Sequence, residues 1–118
     1  MFEYKATVTN VVDGDTFDVS IDLGFGIYFN TRIRLAGVDT PEIHGVKKGS
    51  EEYKRGMDAI AYVYSWLSDH GWEVLLKTHK DRTGKYGRYL AYVFPLDAED
   101  PSVTLNSDLI EDGHATFY

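Results

Sequence analysis

Apolar and polar residues alternate in steps of two through much of this chain, and the step changes to three and four once, between Ser50 and about His70. That switch limits the available folds. Side chains two apart share a strand face, whereas side chains three and four apart share a helix face. Thr16 to Leu23 (TFDVSIDL) puts Phe17, Val19, Ile21 and Leu23 on one face and Asp18, Ser20 and Asp22 on the other, which is then the wet one.

Tyr4 to Val12 reads as a strand from its Val and Thr content, and Ile27 to Val38 (IYFNTRIRLAGV) makes a third strand after the turn GFG. In the helical stretch, Tyr53, Met57, Ile60, Ala61, Tyr64 and Leu67 recur at helix spacing. Ser50 suits the N-cap, Glu51 and Glu52 suit the first turn, and Gly71 suits the stop. Trp72 to Thr78 and Tyr89 to Phe94 read as strands four and five, and Asn106 is placed to cap a short helix that runs to Asp112 and stops at Gly113. Five short strands with a long helix between the third and fourth is the element order of an OB-fold barrel, mainly β with helices (α+β). A chain of 118 residues without repeats is expected to form one domain over residues 1–118.

Composition narrows the chemistry. Cys is absent, which excludes disulfides, zinc-thiolate sites and thiol catalysis. No apolar run approaches the ~20 residues of a membrane span, and MFEYKATV has neither the basic start nor the apolar stretch of a signal peptide, so a cytoplasmic protein is expected. The formal net charge of −7 argues against a polyanionic partner, but its distribution argues back. Eleven of the twelve Lys and Arg fall between Arg32 and Arg88, against eight Asp and Glu there.

The acids near the start need their own account. In VVDGDTF, a D-x-D in a turn is more often structural, with Asp side chains bonding their own turn backbone. Spacing rejects two metal-linked readings. An EF-hand loop would want an oxygen ligand where Phe17 stands and Glu where Gly24 stands. A phosphoaspartyl phosphatase would want Thr four residues after Asp13, whereas Thr16 comes three after.

RLAGVDTPE raises the sharper question, because an apolar strand carrying Arg34 runs directly into Asp39 and Glu42. DTPE alone could simply cap a turn. If its strand pairs with the one after DGDT, however, carboxylates from two segments converge, and like charges held close raise each other's pKa unless a cation joins them. Oxygen-only ligands suit hard cations such as Ca²⁺ or Mg²⁺. The pattern leaves open whether Arg34 points inward or out, and Arg88 stands where a basic loop enters strand five. Two arginines, one hard-cation site and one additional carboxylate form the set needed to cleave a phosphodiester: positive charge for the phosphate oxygens and a base for water.

DGDT, RLAGVDTPE and RTGKYGR, in this order and separated by a helix and a strand, resemble the staphylococcal nuclease (thermonuclease) family from about Thr7 to Tyr118. The resemblance implies an OB-fold, Ca²⁺-dependent phosphodiesterase acting on DNA or RNA and leaving 3′-phosphate ends. It implies Asp15, Asp39 and the Thr40 carbonyl as metal ligands, and Glu42 as the water-positioning residue or base. Arg34 and Arg88 would bind the scissile phosphate, and Lys85 and Tyr86 a neighbouring one. Asp13 would have a supporting role. Oxygen ligands would equally serve Mg²⁺ or Mn²⁺.

Two departures stand out. The chain is acidic where well-known members are basic, which weakens attraction to long polyanions. The further C-terminal helix with base-stacking aromatics is not found before Tyr118, as in shorter phage and bacterial intracellular relatives. The rival readings are a noncatalytic OB-fold module that binds nucleic acid and an acidic module that recognises a basic protein. His44, His70, His79 and His114 lack ligand spacing, and Trp66 and Trp72 read as packing residues.

Overall fold

The computed structural model describes residues 2–83, 88–97, 100 and 102–118, with the side chains of 79–83 excepted. Strands β1 (Phe2–Asp13), β2 (Thr16–Asp22), β3 (Tyr28–Leu35), β5 (Glu73–Thr83) and β6 (Tyr89–Pro95) close a barrel in the order β1-β2-β3-β6-β5. All pairings in it are antiparallel except β3 with β6, and β5 closes the barrel by pairing with β1. With α1 (Glu51–Asp69) between β3 and β5 and α2 (Leu105–Glu111) after β6, this is the expected OB-fold arrangement.

The alternation in β2 does what it predicts as far as Ile21, whereas Leu23, just past the end of the strand, is exposed. Phe17, Val19 and Ile21, with Ile33 and Leu35 opposite, fill the barrel together with Val74, Leu76, Ala91 and Val93. In β1 the alternation is broken, because the pairing with β2 shifts between Val8 and Asn10 and again between Val11 and Asp13. Each extra residue bends β1 and keeps Ala6, Val8 and Val11 inside. Burying one such side chain is worth about 1.5–3 kcal/mol, against ~0–1 kcal/mol for an exposed ion pair. The interior therefore carries the fold, and surface pairs are left for other work.

Three expectations need correction. The third strand ends at Leu35 rather than Val38: Gly37, at φ +73°, turns the chain. A two-residue strand β4 (Val38–Asp39) then pairs with β7 (Thr116–Phe117). Helix α1 is capped by Ser50 as expected, its Oγ accepting from the Tyr53 amide. Its buried stripe, however, is Gly56, Ala59, Val63, Trp66 and Leu67, while Met57, Ala61 and Tyr64 are exposed. Small residues, which carry little hydrophobic signal, mark the face where the helix approaches most closely.

Asn106 does not cap α2. Thr104 does, in a reciprocal capping box with Ser107. Asn106 is buried in the first turn, where its Oδ1 accepts from the Val93 amide at 3.0 Å and its Nδ2 donates to the carbonyls of Ala36 (2.9 Å) and Ala91 (3.2 Å). One side chain thus ties α2 to β6 and to the turn that leads into β4.

Candidate active site

The site lies where the β1–β2 turn meets the segment after β4. Asp13 Oδ1 accepts from the Asp15 amide at 3.2 Å, so the turn is locked by its own side chain. Asp15 is buried. Its Oδ2 accepts from the Thr40 amide (3.1 Å) and from Arg34 Nη2 (3.3 Å), and its Oδ1 from the Thr16 hydroxyl (3.0 Å).

Two glycines allow this approach for reasons of space. A Cβ on Gly14 would stand 2.9 Å from both Thr40 Cγ2 and Oγ1. A Cβ on Gly56 would stand 2.5 Å from Ile43 Cγ2 and 2.8 Å from the Pro41 carbonyl. Helix α1 therefore seats the Pro41–Ile43 segment, and with it Glu42. The buried Thr40 Oγ1 has no hydrogen-bond partner among the described residues.

Arg34 points outward, since Ile33 and Leu35 on either side of it face the core. Its Nη1 donates to the carbonyls of Leu35 (2.9 Å) and Val38 (2.8 Å), and its Nη2 to Asp15 and, at 3.0 Å, to Asp39. Four of the five guanidinium N–H groups are thereby engaged by protein acceptors. What Arg34 still offers is its charge and its Nε–H, with the Tyr118 ring 4.8 Å from its centre. Arg88 Nη1 reaches the Thr16 hydroxyl at 3.4 Å, so a relay of side chains runs from Arg88 through Thr16 to Asp15.

Asp13, Asp15, Arg34, Asp39, Glu42 and Arg88 line one cleft of about 650 Å³. Thr40 lines an adjoining depression together with Asp39, and its amide holds Asp15. Asp39 and Glu42 are exposed, and Glu42 holds no hydrogen bond or ion pair among the described residues, which leaves its carboxylate open to water. Burial first, then the neighbouring Asp15 carboxylate, pushes Asp13 up to about 7. Burial also opposes ionisation of Asp15, but hydrogen bonds from Asp13, the Thr40 amide and Thr16, with the Arg34 charge, outweigh it and hold that carboxyl below its ordinary value.

Among the described residues no group of three or more His, Asp or Glu side chains is arranged to hold a metal ion. The donors that face the cleft, Asp15 held ionised and the exposed Asp39, are hard oxygens. They fit a hard divalent cation bound partly by water and backbone oxygen, and they do not fit a soft one.

Residues 32–118 match the family model of the staphylococcal nuclease homologues. The chain belongs to the staphylococcal nuclease family. The match begins at Arg32 and so takes in Arg34, Asp39, Glu42 and Arg88, while two relatives extend the likeness across the DGDT turn. The uncharacterized protein MJ1439 of Methanocaldococcus jannaschii is 32% identical over 98% of this chain and 59% of its own length. Endonuclease YhcR of Bacillus subtilis is 30% identical over 98% of this chain and 9% of its own. The thermonuclease of Staphylococcus intermedius is 36% identical over 74% of this chain and 46% of its own. The chain thus spans less than two thirds of each of these relatives.

In this staphylococcal nuclease homologue the expected Lys85 and Tyr86 lie outside the described residues. Sequence reasoning missed Tyr118 and Arg32 in the cleft lining. Tyr118 arrives through β7 and the bond from its amide to the Gly37 carbonyl, a long-range pairing with no local signal. Arg32 could have been found, because it stands two residues before Arg34 on the same strand face. No helix among the described residues is long and apolar enough to cross a membrane.

Proposed function

We propose that this chain is a metal-dependent phosphodiesterase that hydrolyses DNA, and RNA as well, leaving 3′-phosphate ends. The reading rests above all on one observation: an open carboxylate, Glu42, shares a cleft with Arg34, Arg88 and the Asp15–Asp39 pair. Asp15, Asp39 and the Thr40 carbonyl would hold Ca²⁺, with Mg²⁺ or Mn²⁺ as alternatives. A bound cation supplies positive charge against the phosphate oxygens.

The chain's own residues carry the rest. Glu42 orients a water molecule and takes its proton as the oxygen attacks phosphorus in line with the leaving 5′ oxygen. Arg34 contributes fixed charge and its Nε–H, and Arg88 contributes its guanidinium, to the oxygens on which negative charge grows. The 5′ P–O bond breaks, the departing oxygen takes a proton from solvent, and phosphate stays on the 3′ side. Because Arg34 is held from four directions, it needs no reorganisation as charge develops. Lys85 and Tyr86 would meet the adjoining phosphate.

Incubation of single-stranded DNA with the protein and millimolar Ca²⁺ tests this, with EDTA and Arg88→Ala as controls. Cleavage lost in both controls supports the assignment. Intact DNA under Ca²⁺, Mg²⁺ and Mn²⁺ overturns it in favour of a binding module, a reading that the full engagement of the Arg34 terminal nitrogens would then suit.

A further inference from the structure

One charged pair beside the cleft has no part in the reaction just described. Arg32 stands opposite Asp18 in the β2–β3 ladder, and its Nε and Nη2 donate to Asp18 Oδ1 (2.7 Å) and Oδ2 (3.3 Å) as a two-pronged fork. Asn10 Nδ2 steadies the same carboxylate at 3.3 Å. The pair is open to solvent, with side-chain exposures of 50% for Arg32 and 32% for Asp18. It resembles the Arg34 cluster in composition and differs from it in freedom.

Arg32 also occupies a junction. It lines the catalytic cleft, and it lines a second, shallower groove of about 370 Å³ formed with Thr9, Asp18, Asn30 and Thr31 on the outer barrel face. Two residues along a strand span about 6.6 Å, a distance comparable to the step between successive phosphates of an extended single strand. A strand with one phosphate at Arg34 would therefore bring the next toward Arg32, and would leave the cleft past the hydroxyls of Thr9 and Thr31 and the amide of Asn30.

We propose that Arg32 is a phosphate subsite for the strand leaving the cleft, and that Asp18 is its built-in competitor, occupying the guanidinium fork until a phosphate displaces it. The inference rests on the nucleic-acid reading of the cleft. A carboxylate and a phosphate present the same pair of oxygens to a guanidinium, so one can replace the other without rearranging the arginine. An exposed pair is weak enough to be exchanged. The arrangement gives an acidic chain a graded grip: only a strand long enough to reach the fork gains from it.

Affinity for a fluorescent single-stranded DNA dodecamer, measured in EDTA over a series of salt concentrations, tests the subsite without any cleavage. Arg32→Gln is expected to weaken binding about 3- to 10-fold and to flatten the salt slope by roughly 0.7, the value of one lost phosphate contact on a single strand. Asp18→Asn is expected to do the reverse, tightening binding about threefold, and Arg32→Lys to restore the slope. A trinucleotide should discriminate among these variants far less than the dodecamer does. If Asp18→Asn weakens binding as Arg32→Gln does, the pair is only a strut of the β2–β3 ladder and the proposal falls; equal affinities in all variants overturn it too. The two readings fail separately. Cleavage with no effect of Arg32 or Asp18 removes the subsite and leaves the nuclease, whereas the expected order of affinities without cleavage under any metal leaves the subsite and removes the nuclease.

Discussion

Arg34 and Asn106 are both polar side chains held by several protein partners, yet one sits in the cleft and the other in the core. Asn106 meets neutral backbone groups from two elements, and nothing remains for a ligand. Arg34 spends two N–H bonds on carbonyls and two on carboxylates, which draws Asp15 and Asp39 together beside water. The core network fixes the fold. The cleft network fixes charge, and the difference lies in whether the acceptors are themselves charged.

Substitutions can break the comparison on either side. Arg34→Ala should have the largest effect, lowering kcat about 10³-fold, because in the proposed reaction the guanidinium would face the phosphate, and it also pairs with two carboxylates. Steady-state cleavage checks this, and a loss under tenfold would remove Arg34 from the chemistry. Glu42→Gln should lower kcat about 100-fold or more while a calcium titration stays nearly unchanged, since Glu42 is assigned to water rather than metal. Asn106→Ala belongs to the other network and should cost about 2 kcal/mol in denaturant unfolding, because the Val93 amide and the Ala36 carbonyl lose their partner. Gly56→Ala should sharpen the comparison by linking the two sides: its Cβ presses on the Pro41 carbonyl, and the displaced Glu42 should slow turnover about tenfold.

The smallest effect concerns the tie between the helices. The Tyr62 hydroxyl donates to Asp112 at 2.6 Å, and burial, then that carboxylate, raises its pKa. A group raised on folding contributes stability that is complete below its unfolded pKa, near 10, and that is lost as pH climbs from there toward the folded value. Tyr62→Phe should cost about 1 kcal/mol at neutral pH and flatten the alkaline limb of a stability–pH profile.

Much of this was legible in the sequence because it is local. Period two in TFDVSIDL gave the buried face of β2, and Ser50 with its acids gave the start of α1. The DGDT turn, the carboxylates after the strand and the two arginines could be read as one set because phosphodiester cleavage needs them together. What escaped depends on distant segments or on small side chains. Gly56 and Ala59 are invisible to hydrophobic periodicity, so the helix face was read one position off. Asn106 looked like a cap because Asn usually is one, and only the approach of β6 turns it inward. Arg32 carries no local signal of its own beyond its place beside Arg34, because its partner Asp18 lies on another strand, on the face that alternation turns to solvent.

The pairing of β4 with β7 carries a consequence in time. Val38 and Asp39 leave the ribosome well before the strand that holds them, Thr116–Phe117. Until those residues emerge, Asp39 has no fixed edge to lie against and the Tyr118 ring is absent from Arg34. A chain still being translated thus carries the two sides of its cleft unassembled, and the order of synthesis sets when they can meet.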